Sequence, residues 1–203
     1  MYTKKIIIVL YSILSFSLMA DYYVKEQKIY YKGYDHKNGK FINYDDEVKN
    51  IDLDSFEQLN PFYARDKNTV YFRGKETDID RNSIKIIRLN LVKDKNFVYY
   101  GDKKLKVSPK NFLFVNRKVS NESIPTIHAG SIFYVKDSQN AYHVEVDKDG
   151  NIKETKLDNA DVGKLVSWNG ILAKDEKSVY HYGEKIDYID AVSFNGDGIG
   201  YGK

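Results

Sequence analysis

The feature that most constrains this chain is a short phrase that returns several times along its length. Residues 65–72 read Arg-Asp-Lys-Asn-Thr-Val-Tyr-Phe, and residues 93–100, 28 positions further on, read Lys-Asp-Lys-Asn-Phe-Val-Tyr-Tyr. Looser copies lie at residues 136–143 and 174–181, and a degenerate first copy lies at residues 25–31. Self-similarity at a spacing of this size is the sequence signature of a repeat architecture.

A second phrase accompanies the first. It reads apolar, Asp or Ser, two variable residues, a small polar residue, then apolar, and its copies begin at Ile51, Ile79, Val107, Leu157 and Ile189. In the two cleanest units the aspartate of the first phrase lies 13 residues before the second phrase. Because two independent phrases keep step with each other, we predict about five copies of one structural unit.

The first phrase predicts a hairpin followed by a strand. Asp-Lys-Asn between two apolar segments is typical of a tight connection, because Asp binds the backbone two residues on and Asn tolerates positive φ, as a three-residue loop with a bulge requires. The segment Phe97–Tyr100 and its equivalents are β-branched and aromatic, which favours strands. Gly74, Gly101 and Gly183 mark the next reversal. Each unit is therefore predicted to be a small antiparallel meander.

The second phrase predicts a single helical turn between meanders. We expect the N-caps at Asp52, Asp80, Ser108, Asp158 and Asp190, the residue types that accept the first free N–H groups of a helix. The apolar residues that flank each cap, such as Ile51 with Phe56, are placed to meet as a hydrophobic staple.

Both faces of each central strand carry apolar side chains, since Val98 and Tyr100 lie on one face and Phe97 and Tyr99 on the other. A sheet of this kind must be covered on both sides, most simply by neighbouring units. The predicted fold is all-β: a tandem array of about five antiparallel β-meander or hairpin repeats joined by short capped helical turns, solenoid-like or sandwich-like.

The N-terminus predicts export. Lys4 and Lys5 precede an apolar run, Ile6 to Leu18, and Ala20 precedes a polar stretch, the pattern of a secretory signal peptide. We expect residues 1–20 to be the signal and residues 21–203 to be one repeat domain, exported to the periplasm, the cell surface or the extracellular space. The alternative is that the apolar run stays as an uncleaved anchor; after cleavage we expect no membrane span.

Composition excludes several classes of function. The 32 Lys and Arg residues are nearly balanced by 29 Asp and Glu residues, and the charges are interleaved, which argues against a nucleic-acid partner. The chain has no Cys, so a disulfide framework, a thiol nucleophile and a Cys–zinc site are excluded. No hydrolase or dinucleotide-binding motif occurs, and we expect no catalytic residue, cofactor or metal site.

The phrase Asp-Lys-Asn-x-Val-Tyr-Tyr, followed by Gly-x-Lys, resembles the signature of the DKNYY family of bacterial secreted or envelope proteins. The resemblance covers roughly residues 24 to 194 and is strongest at Asp66–Gly74 and Asp94–Gly101. It implies the repeat architecture and brings with it no assigned activity, cofactor or catalytic residue.

Three groups of polar residues have both a structural and a functional interpretation. The repeated aspartates 66, 94, 137 and 175 are either turn residues or serial cation sites, although a calcium site needs six to eight oxygens. The loop at Asp147–Asn151 is either a hairpin tip or a calcium loop with its glycine misplaced. His143 and His181 occupy equivalent positions, so they are either aromatic packing residues or a metal pair between units.

Aromatic residues are the remaining candidates for a binding surface. Tyr71, Tyr99, Tyr142 and Tyr180 recur at one repeat position, where they either pack in the core or form an exposed lane for sugar rings or a partner protein. Trp168, the only tryptophan, lies in an insertion and is either a plug of a small core or an exposed anchor.

The expected function is that of an exported, non-catalytic repeat protein, which binds or scaffolds in the bacterial envelope or outside the cell. The partner would be an unknown protein or glycan of the envelope. The alternative is a cell-wall-active enzyme or an enzyme inhibitor.

Overall fold

The computed structural model describes residues 21–37, 40–115, 131–168 and 170–194, and these residues form five small antiparallel sheets. The predicted signal peptide, the predicted insertion around residues 117–129 and the segment 195–203 lie outside the described residues. Within the described part of the chain, no helix has the length and apolar character needed to cross a bilayer.

Each sheet is one repeat unit, and we number the units in chain order. The strands of unit 1 are β1 (Asp21–Lys25), β2 (Lys28–Lys37) and β3 (Lys40–Glu47), and those of unit 2 are β4 (Glu57–Gln58), β5 (Tyr63–Arg65), β6 (Val70–Phe72) and β7 (Lys75–Thr77). The strands of unit 3 are β8 (Lys85–Ile86), β9 (Leu91–Lys93), β10 (Val98–Tyr100) and β11 (Lys103–Leu105). Unit 4 contains β12 (Leu113–Val115), β13 (Ile132–Lys136), β14 (Ala141–Val146) and β15 (Ile152–Lys156), and unit 5 contains β16 (Val166–Ser167), β17 (Leu172–Lys174), β18 (Val179–His181) and β19 (Glu184–Ile186).

In every unit the strands pair in chain order, so that each sheet is a meander. The predicted all-β array of about five meander units is thereby confirmed. The second reversal of units 2 and 5 uses two residues with positive φ, Arg73-Gly74 and Tyr182-Gly183, which matches the turn that a two-residue hairpin prefers.

The first hairpin of the repeat differs in detail from its prediction. The connection in unit 2 takes four residues, Asp66 to Thr69, and it is closed by a hydrogen bond from the N–H of Asp66 to the carbonyl of Thr69 (3.1 Å). Asn68 is not among the described residues with positive φ, so the predicted three-residue loop with a bulge is wrong. The physical reason is that the aspartate carboxylate binds the N–H groups of both Asn68 and Thr69, which wraps the chain around the side chain.

Single turns join successive units, as predicted. The turn Leu53–Ser55 is a 3-10 helix whose cap, Asp52, accepts a hydrogen bond from the N–H of Ser55 (3.1 Å). The caps at Asp80, Ser108 and Asp190 are also confirmed, because each of these side chains accepts an N–H of the residue two positions on.

The predicted fourth cap, Asp158, is wrong. The fourth turn begins three residues later, at Asp161, whose carbonyl accepts the N–H of Lys164 (3.0 Å) and whose carboxylate accepts the N–H of Gly163 (3.0 Å). Leu165 therefore takes the apolar position after the turn, and it is buried, as Phe112 is in the turn before.

The sheets are joined in sequence by four hydrophobic cores, one between each unit and the next. These cores join unit 1 to unit 2 (Tyr22, Ile29, Tyr31, Ala64, Tyr71), unit 2 to unit 3 (Tyr63, Val70, Val92, Tyr99), unit 3 to unit 4 (Leu91, Val98, Tyr100, Val135, Tyr142) and unit 4 to unit 5 (Tyr134, Ala141, Ala173, Tyr180). Val98, Tyr99 and Tyr100 are all buried, so the expected covering of the central strand on both faces is confirmed. Phe97 is the exception, because 42% of it is exposed.

Candidate functional site

The repeated aspartate is the centre of each hairpin corner. In unit 3, Oδ1 of Asp94 accepts the N–H groups of Asn96 and Phe97, both at 2.7 Å. Oδ2 accepts the N–H of Asp80, the cap of the preceding turn, and the hydroxyl of Tyr99, both at 2.9 Å. One buried carboxylate therefore closes its own hairpin and attaches that hairpin to the turn before it.

The same arrangement recurs in the other corners. Asp66 and Asp175 each bind two loop N–H groups, one N–H of the preceding turn and the hydroxyl of the tyrosine five residues on. Asp137 makes the backbone bonds, including one from the N–H of Ser108 (3.0 Å), without a tyrosine hydroxyl. The acceptor capacity of these side chains is thus used within the fold, as the turn interpretation predicts.

Hydrogen bonding keeps these buried carboxylates ionised. Burial alone would raise the pKa of Asp94, but the hydrogen bonds from the N–H groups of Asp80, Phe97 and Asn96 and from the Tyr99 hydroxyl outweigh it, so the pKa is lowered. Burial, with a smaller contribution from Asp175, raises the pKa of Tyr180 to about 12, so that this hydroxyl stays a donor.

The basic residue before each aspartate reaches the following turn. Lys93 Nζ donates to the carbonyl of Pro109 (2.8 Å), and Lys174 Nζ donates to the carbonyls of Ala191 (2.8 Å) and Phe194 (2.6 Å). Arg65 and Lys136 make the equivalent bonds. Each corner therefore binds the turn before it through Asp and the turn after it through Lys or Arg.

A further set of bonds between units was not predicted. Tyr63 donates from its hydroxyl to the carbonyl of Gly101 (2.7 Å) in the next unit, and the Tyr134 hydroxyl accepts the N–H of Gly183 (3.1 Å) and donates to Ile171. The signal in the sequence is a tyrosine three residues before the corner aspartate, at Tyr63 and Tyr134.

The repeat tyrosines lie inside the array. The exposed fractions of Tyr71, Tyr99, Tyr142 and Tyr180 are 0%, 1%, 9% and 1%, and all four side chains contribute to cores between units. An exposed lane of these tyrosines is therefore not what the structure contains. The physical reason is that a neighbouring unit covers the face that carries them.

The two histidines occupy different environments. His143 is fully buried, its Nε2 lies 3.0 Å from the carbonyl of Gly170, and its ring lies 4.7 Å from that of Tyr134, in agreement with the aromatic packing interpretation. His181 is exposed, and both histidine rings contact Tyr182 edge-on. The described residues contain no group of three His, Asp or Glu side chains placed to hold a metal ion.

The loop at Asp147–Asn151 joins β14 to β15 as a hairpin tip. The carboxylate of Asp147 accepts the N–H groups of Asp149 and Asn151 and the side-chain amide of Asn151, each at 2.8 Å. This confirms the hairpin interpretation of the motif.

Trp168 occupies a repeat position and is not part of an insertion, contrary to expectation. Its backbone N–H donates to the carbonyl of Leu172 (3.1 Å), as the backbone N–H of Leu59 donates to Tyr63 and that of Ile87 to Leu91 in earlier units. The indole is partly buried and meets the ring of Phe194 edge-on at 5.4 Å.

We use the name end face for the four hydrophobic residues of unit 5 that are partly or largely exposed near the Asp190 turn, Trp168, Tyr188, Val192 and Phe194. Tyr188 is 89% exposed and Val192 is 82% exposed, the largest values among the described large hydrophobic residues. The other four turns carry polar residues or glycine at these positions, two before and two after the cap: Asn50, Asp78, Lys106 and Asn159, and Asp54, Asn82, Lys110 and Gly163. Sequence reasoning missed this difference because it becomes visible only when the turns are aligned on their caps.

A concave surface lies between units 1 and 2. It is an open groove of about 590 Å³, lined by Tyr44 and Phe72 with acidic and basic side chains around them, among them Asp46 and Lys75. Because charges of both signs line it, the groove favours no single class of charged ligand.

The fold and these contacts define a class, the all-β tandem-repeat proteins in which each unit is braced to its neighbours by a buried aspartate corner. The model of the DKNYY family matches residues 63–197, so the chain belongs to the DKNYY family. Neither the curated proteins nor the solved structures contain a significant match to the chain.

Proposed function

We propose that this protein is an exported, non-catalytic repeat protein that binds or scaffolds a partner in the bacterial cell envelope or outside the cell. The observation that carries the proposal is the exposure of Tyr188 and Val192 on the end face, at positions where the four earlier turns carry polar residues or glycine. Exposed aromatic and aliphatic side chains grouped on one surface are typical of an interaction site.

The bracing of the array supports a scaffolding role. Each carboxylate corner ties its hairpin to the turn before it, and the four cores run from unit 1 to unit 5 without interruption. A repeat array of this kind holds its surfaces at a fixed spacing, as other repeat proteins do with their partners.

Export is part of the proposal, and its support is the basic, apolar and small-residue pattern of residues 1–20. Expression of the full chain in a bacterial host, followed by fractionation and intact-mass measurement, tests it. We expect exported protein whose N-terminus is Asp21. Full-length protein retained in the cytoplasm would contradict the proposal.

Binding is tested with the chain from Asp21 onward, immobilised and exposed to purified peptidoglycan fragments and to envelope glycans and proteins. We expect saturable binding that the double variant Tyr188→Ser, Val192→Ser loses. Leu113→Ser is the matched control, because Leu113 is 58% exposed but lies in unit 4, away from the end face. Binding that this control removes as well, or no saturable binding at all, would argue against the end face as the site.

The same preparation distinguishes the binding function from the alternative, a cell-wall-active enzyme or an inhibitor. Release of soluble fragments from peptidoglycan, abolished by one side-chain substitution, would replace the binding proposal with a catalytic one. We expect no such turnover.

A further inference from the structure

Positive charge is concentrated in unit 3. Residues 80–112, which comprise this unit and the turns on either side of it, contain nine Lys or Arg residues and three Asp residues, a surplus of six positive charges. The whole chain has a surplus of three, so acidic residues outnumber basic ones by three in the rest of it. A surface with a local surplus of one sign attracts ligands of the opposite sign.

An exposed aromatic ring lies among these charges. Phe97 is 42% exposed, and the ammonium nitrogen of Lys104 lies 4.7 Å from the centroid of its ring. Lys104 pairs with Tyr99 in the register of β10 with β11, and the same register continued by one pair sets Lys106 opposite Phe97. Lys95 stands two residues before Phe97 in the corner. We call the exposed residues Lys95, Phe97, Lys104 and Lys106 the basic patch.

Two lysines of the basic patch hold no ion pair within the described part of the chain. Lys95 Nζ lies 2.6 Å from the carboxylate of Asp80, whereas no described carboxylate comes within ion-pair distance of the ammonium groups of Lys104 and Lys106. Glu154 is an acid whose charge acts on Lys106, but its carboxylate accepts the backbone N–H of that residue (2.8 Å), not its ammonium group. An anionic ligand can therefore bind both ammonium groups without breaking an internal ion pair.

The repeat does not require an aromatic residue or a lysine at these positions. In unit 2 the residues that correspond to Phe97 and Lys106 in the hairpin register are Thr69 and Asp78, and in unit 5 they are Ser178 and Asp187. Both of these units form the same meander with a small polar residue opposite an aspartate. The basic patch is thus a property of unit 3 and is not needed to build the fold.

We propose that the basic patch binds an anionic polysaccharide, with a sugar ring against the exposed part of Phe97 and carboxylate or phosphate groups at Lys104 and Lys106. The phenyl ring offers an apolar surface to the C–H groups of a sugar. Lysine ammonium groups are mobile point charges, which suits a flexible chain of repeated charges better than a single oriented anion. The inference goes beyond the proposed function, because it adds a surface that does not involve the end face.

The test compares polysaccharides that differ only in charge. The chain from Asp21 onward is titrated calorimetrically with polygalacturonate and with its methyl ester, and with phosphorylated dextran and plain dextran. We expect saturable binding of at least one anionic polymer, at least about tenfold tighter than that of its neutral counterpart. The affinity should fall as NaCl is raised from about 50 mM to about 200 mM, because the ammonium groups are exposed and screened by salt.

The variant Phe97→Thr, Lys104→Glu, Lys106→Asp gives unit 3 the residues that unit 2 carries at these positions. We expect it to bind the anionic polymer at least about tenfold more weakly. The control Lys148→Glu, Lys177→Glu changes the net charge by the same amount at exposed lysines of units 4 and 5, and its affinity should change by less than about threefold. Circular dichroism checks that both variants are folded. The milder variant Lys104→Gln, Lys106→Gln should also weaken binding, and it keeps Phe97 if the triple variant does not fold.

Three outcomes would overturn the inference. The first is that neither anionic polymer binds more tightly than its neutral counterpart, and the second is that the control weakens binding as much as the patch variants do. The third is tighter, patch-dependent binding of polyglutamate or of a single-stranded oligonucleotide, which would assign the patch to a different class of polyanion. If these tests fail while the Tyr188 and Val192 variant still loses envelope binding, the proposed function stands and only the polysaccharide site is rejected.

Discussion

The carboxylate of Asp94 and the backbone N–H of Asp80, 14 residues apart, are joined by a hydrogen bond of 2.9 Å that links a hairpin to the turn before it. The same bond recurs from Asp52 to Asp66 and from Asp161 to Asp175 with the same separation, and from Ser108 to Asp137 across a longer segment. The repeated aspartate is therefore the residue that holds successive units together.

The substitution Asp94→Asn should destabilise the protein by about 2–3 kcal/mol, because an amide cannot accept four hydrogen bonds and its NH₂ group would face a donor. Chemical denaturation followed by circular dichroism measures the loss. Asp102→Asn is the control, since Asp102 lies exposed in the second hairpin of the same unit, and it should change stability by less than about 0.5 kcal/mol. Equal effects of the two substitutions would contradict the corner model.

The tyrosine hydroxyl of the corner should contribute a smaller, separable amount. Tyr99→Phe removes the 2.9 Å bond to the buried Asp94 and should cost about 1–2 kcal/mol. Tyr142→Phe is a matched control at the same repeat position, because the Tyr142 hydroxyl makes no hydrogen bond to Asp137, and its cost should be about 0.5 kcal/mol or less. Unfolding free energies of the two variants that agree within error would show that the hydroxyl bond adds nothing.

Two glycines with nearly the same backbone conformation should tolerate alanine very differently. Gly170 (φ +80°) packs against the backbone of unit 4, where an added Cβ would overlap the carbonyl oxygen of Ile132, whereas Gly150 (φ +77°) has open space around it. Gly150→Ala should cost about 1 kcal/mol for the left-handed backbone alone. Gly170→Ala should cost about 1–3 kcal/mol more, from overpacking between units 4 and 5. Thermal unfolding of both variants checks the difference, and equal midpoints would refute it.

The interface between units 4 and 5 should weaken in mild acid. Burial lowers the pKa of His143 below its ordinary value of 6.5, although Glu145, 3.8 Å from Nδ1, and the Gly170 carbonyl act in the opposite direction. Lys153, which pairs with Glu145, and His181 add to the lowering. The unfolded chain therefore binds a proton at higher pH than the folded chain does. The contribution of the neutral His143 side chain to stability is fully present above about pH 6.5. It is lost as the pH falls toward the lowered pKa of His143 in the folded chain, by at most about 1.4 kcal/mol per pH unit.

Urea denaturation between pH 8 and pH 5 measures this dependence. The variant His143→Phe, which carries the residue that Phe72 provides in unit 2, should remove the His143 contribution to the slope. A slope that the substitution leaves unchanged would assign the acid sensitivity to other groups.

The repeat, the meanders and most of the turns follow from the sequence because local chemistry determines them. In all four corners an aspartate follows a strand and its carboxylate accepts two N–H groups of the loop, and the glycines at the second reversal permit positive φ. The fourth turn could not be placed in the same way. Both Asp158 and Asp161 stand between apolar residues, and the choice between them depends on the Asp175 carboxylate, which binds the N–H of Asp161 from 14 residues away.

The candidate site was harder to predict because exposure depends on the neighbouring unit. Tyr99 and Tyr188 are both tyrosines near a repeat phrase, yet one is 1% exposed and the other 89%. The difference arises because unit 2 covers the face that carries Tyr99, whereas Tyr188 lies on the turn that follows the fifth sheet. The sequence distinguishes Trp168 only as the single tryptophan, and its repeat position depends on the hydrogen bond from its backbone N–H to the Leu172 carbonyl.

Because each corner binds an earlier turn directly, the contact between units does not depend on the length of the chain that connects the turn to the corner. Asp137 follows Phe112 by 25 positions, whereas Asp66 follows Phe56 by 10, yet the bond between Ser108 and Asp137 is intact at 3.0 Å. Extra chain can thus be inserted between a turn and its corner while the brace between units is kept. A lineage that carries this architecture is free to vary its loops, and with them its partners, without having to rebuild the framework that displays them.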